Sequence, residues 1–233
     1  MIQKTKTDYL KEHKSWGKVK VINVPEKDER LAELVGIILG DGNIYFYQKG
    51  KKVGSYSVRI AGDYKKDRDY HLNYIGPLCN QLFNIKVRIR DHLVNNERFV
   101  CLDSRLLIEF LMSIGLKSGD KIKNNVGIPE WIFENIEFLK ACLRGLIDTD
   151  GSVYRMSKRD SNLIRIDFTN YSEKLLNDAR AAFLKLGFNP SKIIGDKKFF
   201  ISRQSEIVRY IREIGFSNNK HIERLKLFNS PVV

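Results

Sequence analysis

Two apolar stretches of the chain have helical spacing and end in the same way, with an aspartate followed by a glycine. They are Leu34–Gly42 and Leu143–Gly151, and their acids are Asp41 and Asp150. Glycine directly after the last helical residue is an ordinary helix stop. Each half of the chain has one copy, so we expect the two helices to pack together and to place their acids side by side.

Small residues recur every four positions along one face of each helix. They are Ala32, Gly36 and Gly40 in the first helix and Ala141, Gly145 and Thr149 in the second. Residues four apart share a helix face, and a face without large side chains lets another backbone approach closely. The pattern predicts that the two helices cross at Gly36 and Gly145.

Alternating apolar and polar residues after each helix predict β-strands. The first half reads as strands 43–49 and 55–61, a helix over 66–83, strands 85–91 and 98–102, and a helix over 104–114. The second half reads as strands 152–157 and 163–169, a helix over 172–186, two short strands around Gly195 and Asp196, and a helix over 204–214. This predicts an α+β fold of two pseudo-symmetric αββαββα repeats, 25–116 and 131–228, with a linker over 117–130, an N-terminal basic arm over 1–24 and a tail over 229–233.

The chain is basic, with 41 Lys and Arg against 28 Asp and Glu, a formal charge of +13 and a pI near 9.6. Such a field suits a polyanionic partner, although basic composition alone is weak support. Three cysteines lack metal-ligand spacing, and no run reaches membrane-spanning length. These features predict a soluble intracellular protein of the cytoplasm, nucleoid or an organelle, with no membrane partner. The four histidines show no zinc spacing, and we expect surface or phosphate-contacting roles for them.

The acids at the helix ends need an explanation, because a carboxylate at a helix C-terminus faces the negative end of the helix dipole. A bound divalent cation would make this placement favourable. The alternative is a solvated turn aspartate, as in many Asp-Gly pairs. Paired carboxylates that hold a metal are suited to phosphodiester hydrolysis.

Alternation along the strands separates an apolar face from a polar face that could enter a DNA groove. An ordinary solvated sheet face is the alternative. The candidate DNA-binding residues of the first half are Tyr45, Tyr47, Lys49, Ser57, Arg59, Lys86, Arg88 and Arg90. Those of the second half are Tyr154, Met156, Lys158, Arg165 and Asp167, a less basic set that implies an asymmetric DNA site.

The doubled motif resembles that of the LAGLIDADG homing endonucleases in their monomeric, double-motif form, over about residues 25–228. The resemblance implies two motif helices packed at the centre, under a saddle of two antiparallel sheets. It assigns catalysis and metal binding to the acids at the eighth motif position, Asp41 and Asp150, with Gly40 and Thr149 as neighbouring metal contacts.

Further site residues follow from the same resemblance. The sixth motif position, commonly aspartate, is Leu39 in one copy and Asp148 in the other, and it is not the catalytic position. A polar residue that often ends the second strand corresponds to Asn170 in the second half and to Gly62 in the first. A central lysine corresponds to Lys121 and Lys220, with Lys123 as an alternative to Lys121 and simple phosphate contact as an alternative role.

The implied function is that of a site-specific endonuclease that hydrolyses both strands of a long asymmetric double-stranded DNA target. It would act as a monomer with Mg²⁺, or with Mn²⁺ as a substitute. Two alternatives keep the fold without cutting: a maturase that binds intron RNA, and a DNA-binding regulator. Neither of these functions requires the two acidic residues to be kept, so the presence of Asp41 and Asp150 favours the nuclease. The chain lacks splicing-junction residues, and we do not expect a whole intein, although a nuclease domain excised from one stays an alternative.

Overall fold

The computed structural model describes residues 22–49, 53–156 and 163–228. Most of the expected basic arm, Lys158, the side chain of Lys49 and the tail lie outside the described residues. Within these ranges, no helix has the length and apolar character needed to cross a membrane.

The first repeat follows the predicted order of elements. These are α1 (Glu29–Gly40), β1 (Gly42–Lys49), β2 (Val53–Asp63), a π-helix (Tyr70–Ile75) that continues into α2 (Gly76–Phe83), β3 (Arg88–His92), β4 (Glu97–Leu102) and α3 (Arg105–Ser113). Asp28 caps α1, because its side chain accepts a 2.8 Å hydrogen bond from the Leu31 N–H. The π-helix departs from the single α-helix expected over 66–83. Pro77 has no backbone N–H to donate, and the Gly76 N–H just before it reaches back to the His71 carbonyl.

The second repeat differs from the prediction at one strand and has two short helices that were not predicted, one at each end of the repeat. Its elements are α4 (Glu130–Phe133), α5 (Ile136–Asp150), β5 (Gly151–Arg155), β6 (Ile164–Thr169), α6 (Glu173–Lys185), β7 (Lys198–Ile201), α7 (Gln204–Glu213) and α8 (Asn219–Leu227). The expected strand before Gly195 is reduced to a single bridge between Ile194 and Lys198. Pro190 has no N–H for a ladder, and the Ser191 hydroxyl takes the place of a backbone acceptor for the Phe200 N–H.

Both sheets are antiparallel, with strand order β1-β2-β4-β3 in the first and β5-β6-β7 in the second. In the first sheet, Arg59 lies opposite Asn43 on one side and Cys101 on the other, and Cys101 in turn lies opposite Arg88. Because directly opposed residues share a face, polar side chains from several strands lie on one side of this sheet. Ile44 marks the other side and is buried.

Helices α1 and α5 pack backbone to backbone along the predicted stripe of small residues. A Cβ atom at Gly36 would overlap the Cys142 carbonyl oxygen and lie 3.0 Å from its carbonyl carbon. A Cβ atom at Gly145 would lie 2.8 Å from the backbone nitrogen of Ile37. The crossing at Gly36 and Gly145 is therefore as the sequence predicts.

One continuous hydrophobic core contains residues of both repeats. The expected surface role of the histidines is wrong for His71 and His221, which are 1% and 0% exposed. Burial lowers the pKa of His71 to about 4 and that of His221 to about 3, because the interior disfavours the charged imidazolium.

Candidate active site

The helix seam brings Asp41 and Asp150 together at the adjoining ends of α1 and α5. A Cβ atom at Gly40, the residue before Asp41, would lie 3.5 Å from Asp150 Oδ2. The end of α1 is fixed on the first sheet, because the Asp41 carbonyl accepts a 3.0 Å hydrogen bond from the Ala61 N–H. The two acids predicted from the motifs therefore form one site.

The negative charge of each carboxylate is unfavourable at its position in the site. Burial, followed by the negative charge of Asp150, raises the pKa of Asp41 to about 7, while Lys220 and Lys121 partly lower it. Burial also raises the pKa of Asp150, and Lys121 and the hydrogen bond from Asn170 partly lower it. The nearby cations therefore compensate the negative charge incompletely, as expected of a site that binds a further cation.

Asn170 contacts Asp150 directly, as the motif alignment suggests. Its Nδ2 donates a 2.7 Å hydrogen bond to Asp150 Oδ2, and its Oδ1 accepts a 2.8 Å hydrogen bond from the Ser172 N–H. The second bond fixes the amide orientation, so the donor group faces the carboxylate. Gly62, the counterpart of Asn170 in the first repeat, provides no such group.

Lys121 reaches the site from the segment between the repeats. Its Nζ donates to the carbonyl oxygens of Leu39, at 2.9 Å, and of Gly40. The local turn is fixed by Asp120, whose side chain accepts hydrogen bonds from the N–H groups of Ile122 and Lys123. Lys123 itself is exposed, whereas the Lys121 amine contacts the acid-bearing end of α1.

Lys220 reaches the site from the first turn of α8 and is held by the other repeat. Its Nζ lies 3.0 Å from Asp67 Oδ1, and Asn218 Nδ2 donates a 2.9 Å hydrogen bond to the same oxygen. Sequence reasoning missed Asp67 and Asn218, because neither belongs to the motif or to a periodic pattern.

Asp148, at the sixth motif position, has a structural role. It is fully buried, and its Oδ2 accepts hydrogen bonds from the N–H groups of Ser217 at 2.8 Å and Asn218 at 3.2 Å. Burial raises its pKa well above the ordinary value. Asp148 thereby fixes the segment that leads into α8 and Lys220, in agreement with the noncatalytic role inferred for this position.

The donor set fits a hard divalent cation such as Mg²⁺, which prefers oxygen ligands and often uses one or two carboxylates together with water and phosphate oxygens. No three His, Cys, Asp or Glu side chains of the described ranges could hold a metal by themselves. The carboxylates of Asp41 and Asp150 are the charged groups that would bind the ion. The Gly40 carbonyl accepts from Lys121, and the Thr149 hydroxyl donates to the carbonyls of Gly145 and Leu146. Both oxygens keep a free lone pair, so Gly40 and Thr149 stay predicted as neighbouring metal contacts.

The polar face of the first sheet carries most of the residues predicted to bind DNA. Its exposed side chains include Tyr45, Tyr47, Arg59, Arg88 and Arg90, with Lys86 exposed just before β3. Asn43 was missed from the prediction and is also exposed on this face. Ser57 lies on the same face but is only 5% exposed, because its neighbours cover it, so the structure does not present it for direct contact.

The second sheet presents a more constrained face. Tyr154 lies opposite Arg165, and the Arg165 guanidinium stacks on the Phe200 ring at 3.9 Å. Asp167 is partly buried on this face, and burial raises its pKa. Met156 is exposed at the end of β5. Among the described residues, the two faces therefore differ in charge as the sequence predicts.

The fold is shared with known nucleases. Solved structures of the homing endonuclease I-DmoI and of the LAGLIDADG meganuclease I-AabMI have a similar fold. Residues 137–215 match the family model of the LAGLIDADG-like domain. The family resemblance and the fold class predicted from the sequence are confirmed.

Particular proteins resemble the chain in structure or in sequence. The crystal structure of I-DmoI in complex with DNA and Mn is similar with a TM-score of 0.58 and 18% identity, covering 81% of this chain and 97% of that chain. A subunit of the A-type ATP synthase of Pyrococcus abyssi is 26% identical over 185 residues, which are 78% of this chain and 16% of the relative. The replication factor C small subunit of Methanocaldococcus jannaschii is 24% identical over 162 residues, which are 68% of this chain and 9% of the relative. The chain therefore spans less than a fifth of the length of these curated relatives.

Proposed function

We propose that the protein is a site-specific, divalent-metal-dependent endonuclease that cuts both strands of double-stranded DNA. The observation that carries this proposal is the pair of partly buried carboxylates, Asp41 and Asp150, at the end of a helix seam between two sheets. A single chain supplies both acids, so we propose that it acts as a monomer. The asymmetry between the two sheet faces suits a DNA target without two-fold symmetry.

The residues of the site would divide the chemistry. Asp41 and Asp150 would hold the cation, which when bound supplies water activation and stabilisation of the leaving oxygen. Lys121 and Lys220 provide positive charge beside the phosphodiester, where negative charge develops during hydrolysis. Asn170 keeps the Asp150 carboxylate in a fixed orientation.

The first sheet would provide most of the affinity for DNA. Arg59, Arg88 and Arg90 form a basic group on one face, and Tyr45 and Tyr47 add exposed aromatic side chains. A ribbon with such residues can enter the major groove and contact base edges, while its cations neutralise phosphates. The second sheet would contribute fewer phosphate contacts, because its exposed face is less basic.

The comparisons support this proposal in two ways. I-DmoI has been crystallised with DNA together with Mn and with Ca, so a protein of this fold binds both partners. The two curated relatives belong to an ATP synthase and to a replication factor, and each matches over only a small share of its length. Two otherwise different proteins are expected to share such a segment if it was inserted into both. An insertion of this kind suits a mobile endonuclease.

A selection experiment tests the proposed function. The wild-type protein is incubated with Mg²⁺ and a library of randomised DNA duplexes, and the cut ends are recovered by ligation and sequenced. We expect one recurring duplex cut on both strands, and no recovery with Asp150→Asn. A duplex that is bound but never cut would favour a regulator, and preferential binding of structured RNA in competition would favour a maturase.

A further inference from the structure

The two acids are supported by different residues at equivalent places in the two repeats. Asp150 accepts its hydrogen bond from Asn170, at the end of β6. The equivalent strand end in the first repeat is Gly62, where a Cβ atom would lie 2.6 Å from the His71 ring and 3.1 Å from Asp67 Cβ. Residues of the turn and helix after β2 therefore fill the space next to Gly62.

Asp67 is the charged member of this group, and it is almost completely buried, with 6% exposure. Its carboxylate accepts from Asn218 Nδ2 at 2.9 Å, from the Asp63 N–H at 2.9 Å and from Lys220 Nζ at 3.0 Å. Burial alone would raise the pKa of Asp67, but Lys220 and these hydrogen bonds hold it below the ordinary value. The carboxylate is therefore ionised and its partners are fixed.

The two candidate lysines are held by different means. Lys121 donates to backbone carbonyls at the end of α1, whereas the Nζ of Lys220 pairs with the Asp67 side chain. Asp67 packs next to Gly62, and the residue before Gly62, Ala61, donates its N–H to the Asp41 carbonyl at 3.0 Å. The pair of Asp67 and Lys220 therefore lies at the strand end that contacts Asp41.

We propose that Asp67 is a positioning residue that holds Lys220 beside Asp41 and so sets the cleavage rate of one DNA strand, the strand whose scissile phosphate lies at Asp41. The inference rests on the proposed nuclease function. The other strand, cut at Asp150, depends on Asn170, which contacts Asp150 directly, and does not need Asp67.

The first test measures the position of Lys220 without DNA. Wild-type protein and Asp67→Asn are treated with an amine-reactive reagent, and the modification rate of each lysine is read by peptide mass spectrometry. We expect Lys220 to react several times faster in Asp67→Asn while Lys121 keeps its rate. Asp178→Asn is the matched control, because Asp178 also accepts from a lysine, Lys174, and from a backbone N–H, but lies on α6 outside this network.

The second test follows the two strands of the selected duplex separately, each with its own label. We expect Asp67→Asn to slow one strand about 10- to 100-fold, the range expected for a displaced supporting group, so that nicked duplex accumulates. The other strand should keep its rate within about twofold. In a Lys220→Met background, Asp67→Asn should have no further effect, because Asp67 acts through Lys220.

The outcomes separate this inference from the proposed function. An unchanged Lys220 modification rate overturns the inference whether or not the protein cuts DNA. Equal slowing of both strands, or an additive effect in the Lys220→Met background, also overturns it, since either result indicates a general loss of structure. If the wild-type protein cuts no duplex, the proposed function fails, and a faster Lys220 reaction still shows that Asp67 positions this lysine. Melting temperatures of all variants identify any that fail to fold.

Discussion

Arg144 of α5 forms a 2.6 Å ion pair with Glu33 of α1, and this pair joins the two repeats across the helix seam. Glu33 is 2% exposed, whereas Arg144 is 26% exposed. The hydroxyl groups of Tyr74 and Ser217 also donate to Glu33, at 2.7 and 2.6 Å. A buried carboxylate with partners on several elements fixes how the two motif helices are aligned, and therefore where their terminal aspartates lie.

Replacement of Arg144 and replacement of Glu33 should have unequal effects on stability. Arg144→Met leaves the Glu33 charge buried without its counterion, and we expect it to lower the free energy of unfolding by about 3–5 kcal/mol. Glu33→Gln should cost less, because the remaining Arg144 can reach solvent. Urea denaturation measures both, with Lys140→Met as the control, since Lys140 and Glu137 form an exposed pair worth less than about 1 kcal/mol. Equal losses for Arg144→Met and Lys140→Met would contradict this role.

The two acids should be needed for cleavage but not for DNA binding. Asp41→Asn and Asp150→Asn each remove a carboxylate that would hold the cation, while the basic sheet face stays intact. We expect each variant to lose double-strand cutting and to bind the selected duplex with an affinity close to that of the wild type. Gel-based cleavage and binding assays on the same duplex measure both. Wild-type cutting of both strands by either variant would remove that residue from the site.

The raised pKa of Asp41 predicts a pH-dependent stability. The pKa of Asp41 is about 7 in the folded protein, against an ordinary value of 3.8. Between about pH 4 and pH 7, the folded protein therefore keeps a proton on Asp41 that the unfolded chain has released. The stability that this proton contributes is present below this window and is lost as the pH rises through about 7. Asp41→Asn has no such loss, so its melting temperature relative to the wild type should increase from about pH 5 to pH 8. A constant difference would show that Asp41 titrates normally.

A divalent cation should reverse this effect in the wild type. Ions that bind only the folded protein stabilise it, so Mg²⁺ or Mn²⁺ should raise the wild-type melting temperature most at about pH 8, where Asp41 is ionised. The same ions should have little effect on the double variant Asp41→Asn/Asp150→Asn. An equal increase in both proteins would indicate binding elsewhere.

The basic face of the first sheet should determine the salt dependence of DNA binding. Replacement of Arg88 and Arg90 by alanine should weaken binding and reduce the slope of log affinity against log salt by about one unit for each phosphate that is no longer neutralised. If one of them binds a guanine, its removal should relax discrimination at that base by about 1–3 kcal/mol. Arg30→Ala/Arg212→Ala is the charge-matched control, because both of these residues are exposed on helices. An unchanged slope for the Arg88/Arg90 variant would show that this face does not bind DNA.

The helix crossing should not accept a side chain at Gly145. Glycine in a helix interior costs about 1 kcal/mol relative to alanine, but a Cβ atom here would meet the backbone of α1, and overpacking typically costs about 1–3 kcal/mol. We therefore expect Gly145→Val to lower both the melting temperature and the cleavage rate. Ala181→Val, at an exposed position of α6, should leave both nearly unchanged. A stable Gly145→Val protein that cuts normally would contradict the close packing of the seam.

The elements that could be predicted from the sequence are those with a local or periodic signal. The helix crossing at Gly36 and Gly145 followed from residue spacing, and the acids followed from the doubled motif. The network of Asp67, Asn218 and Lys220 could not be predicted, because its members are far apart in sequence and depend on how the repeats pack. A signal for the ion pair was present, since Glu33 and Arg144 are opposite charges in the two helices predicted to cross, but only the fold shows that they meet.

The ion pair across the seam also makes the two repeats complementary rather than interchangeable. In the aligned motifs, the position of Glu33 corresponds to Cys142 in the second repeat, and the position of Arg144 corresponds to Val35 in the first. A homodimer of the first repeat would bury Glu33 against valine, and a homodimer of the second would lack an acid for Arg144. If the gene were split between the repeats, the two fragments would therefore favour the heterodimer, with one acid from each fragment at the shared centre.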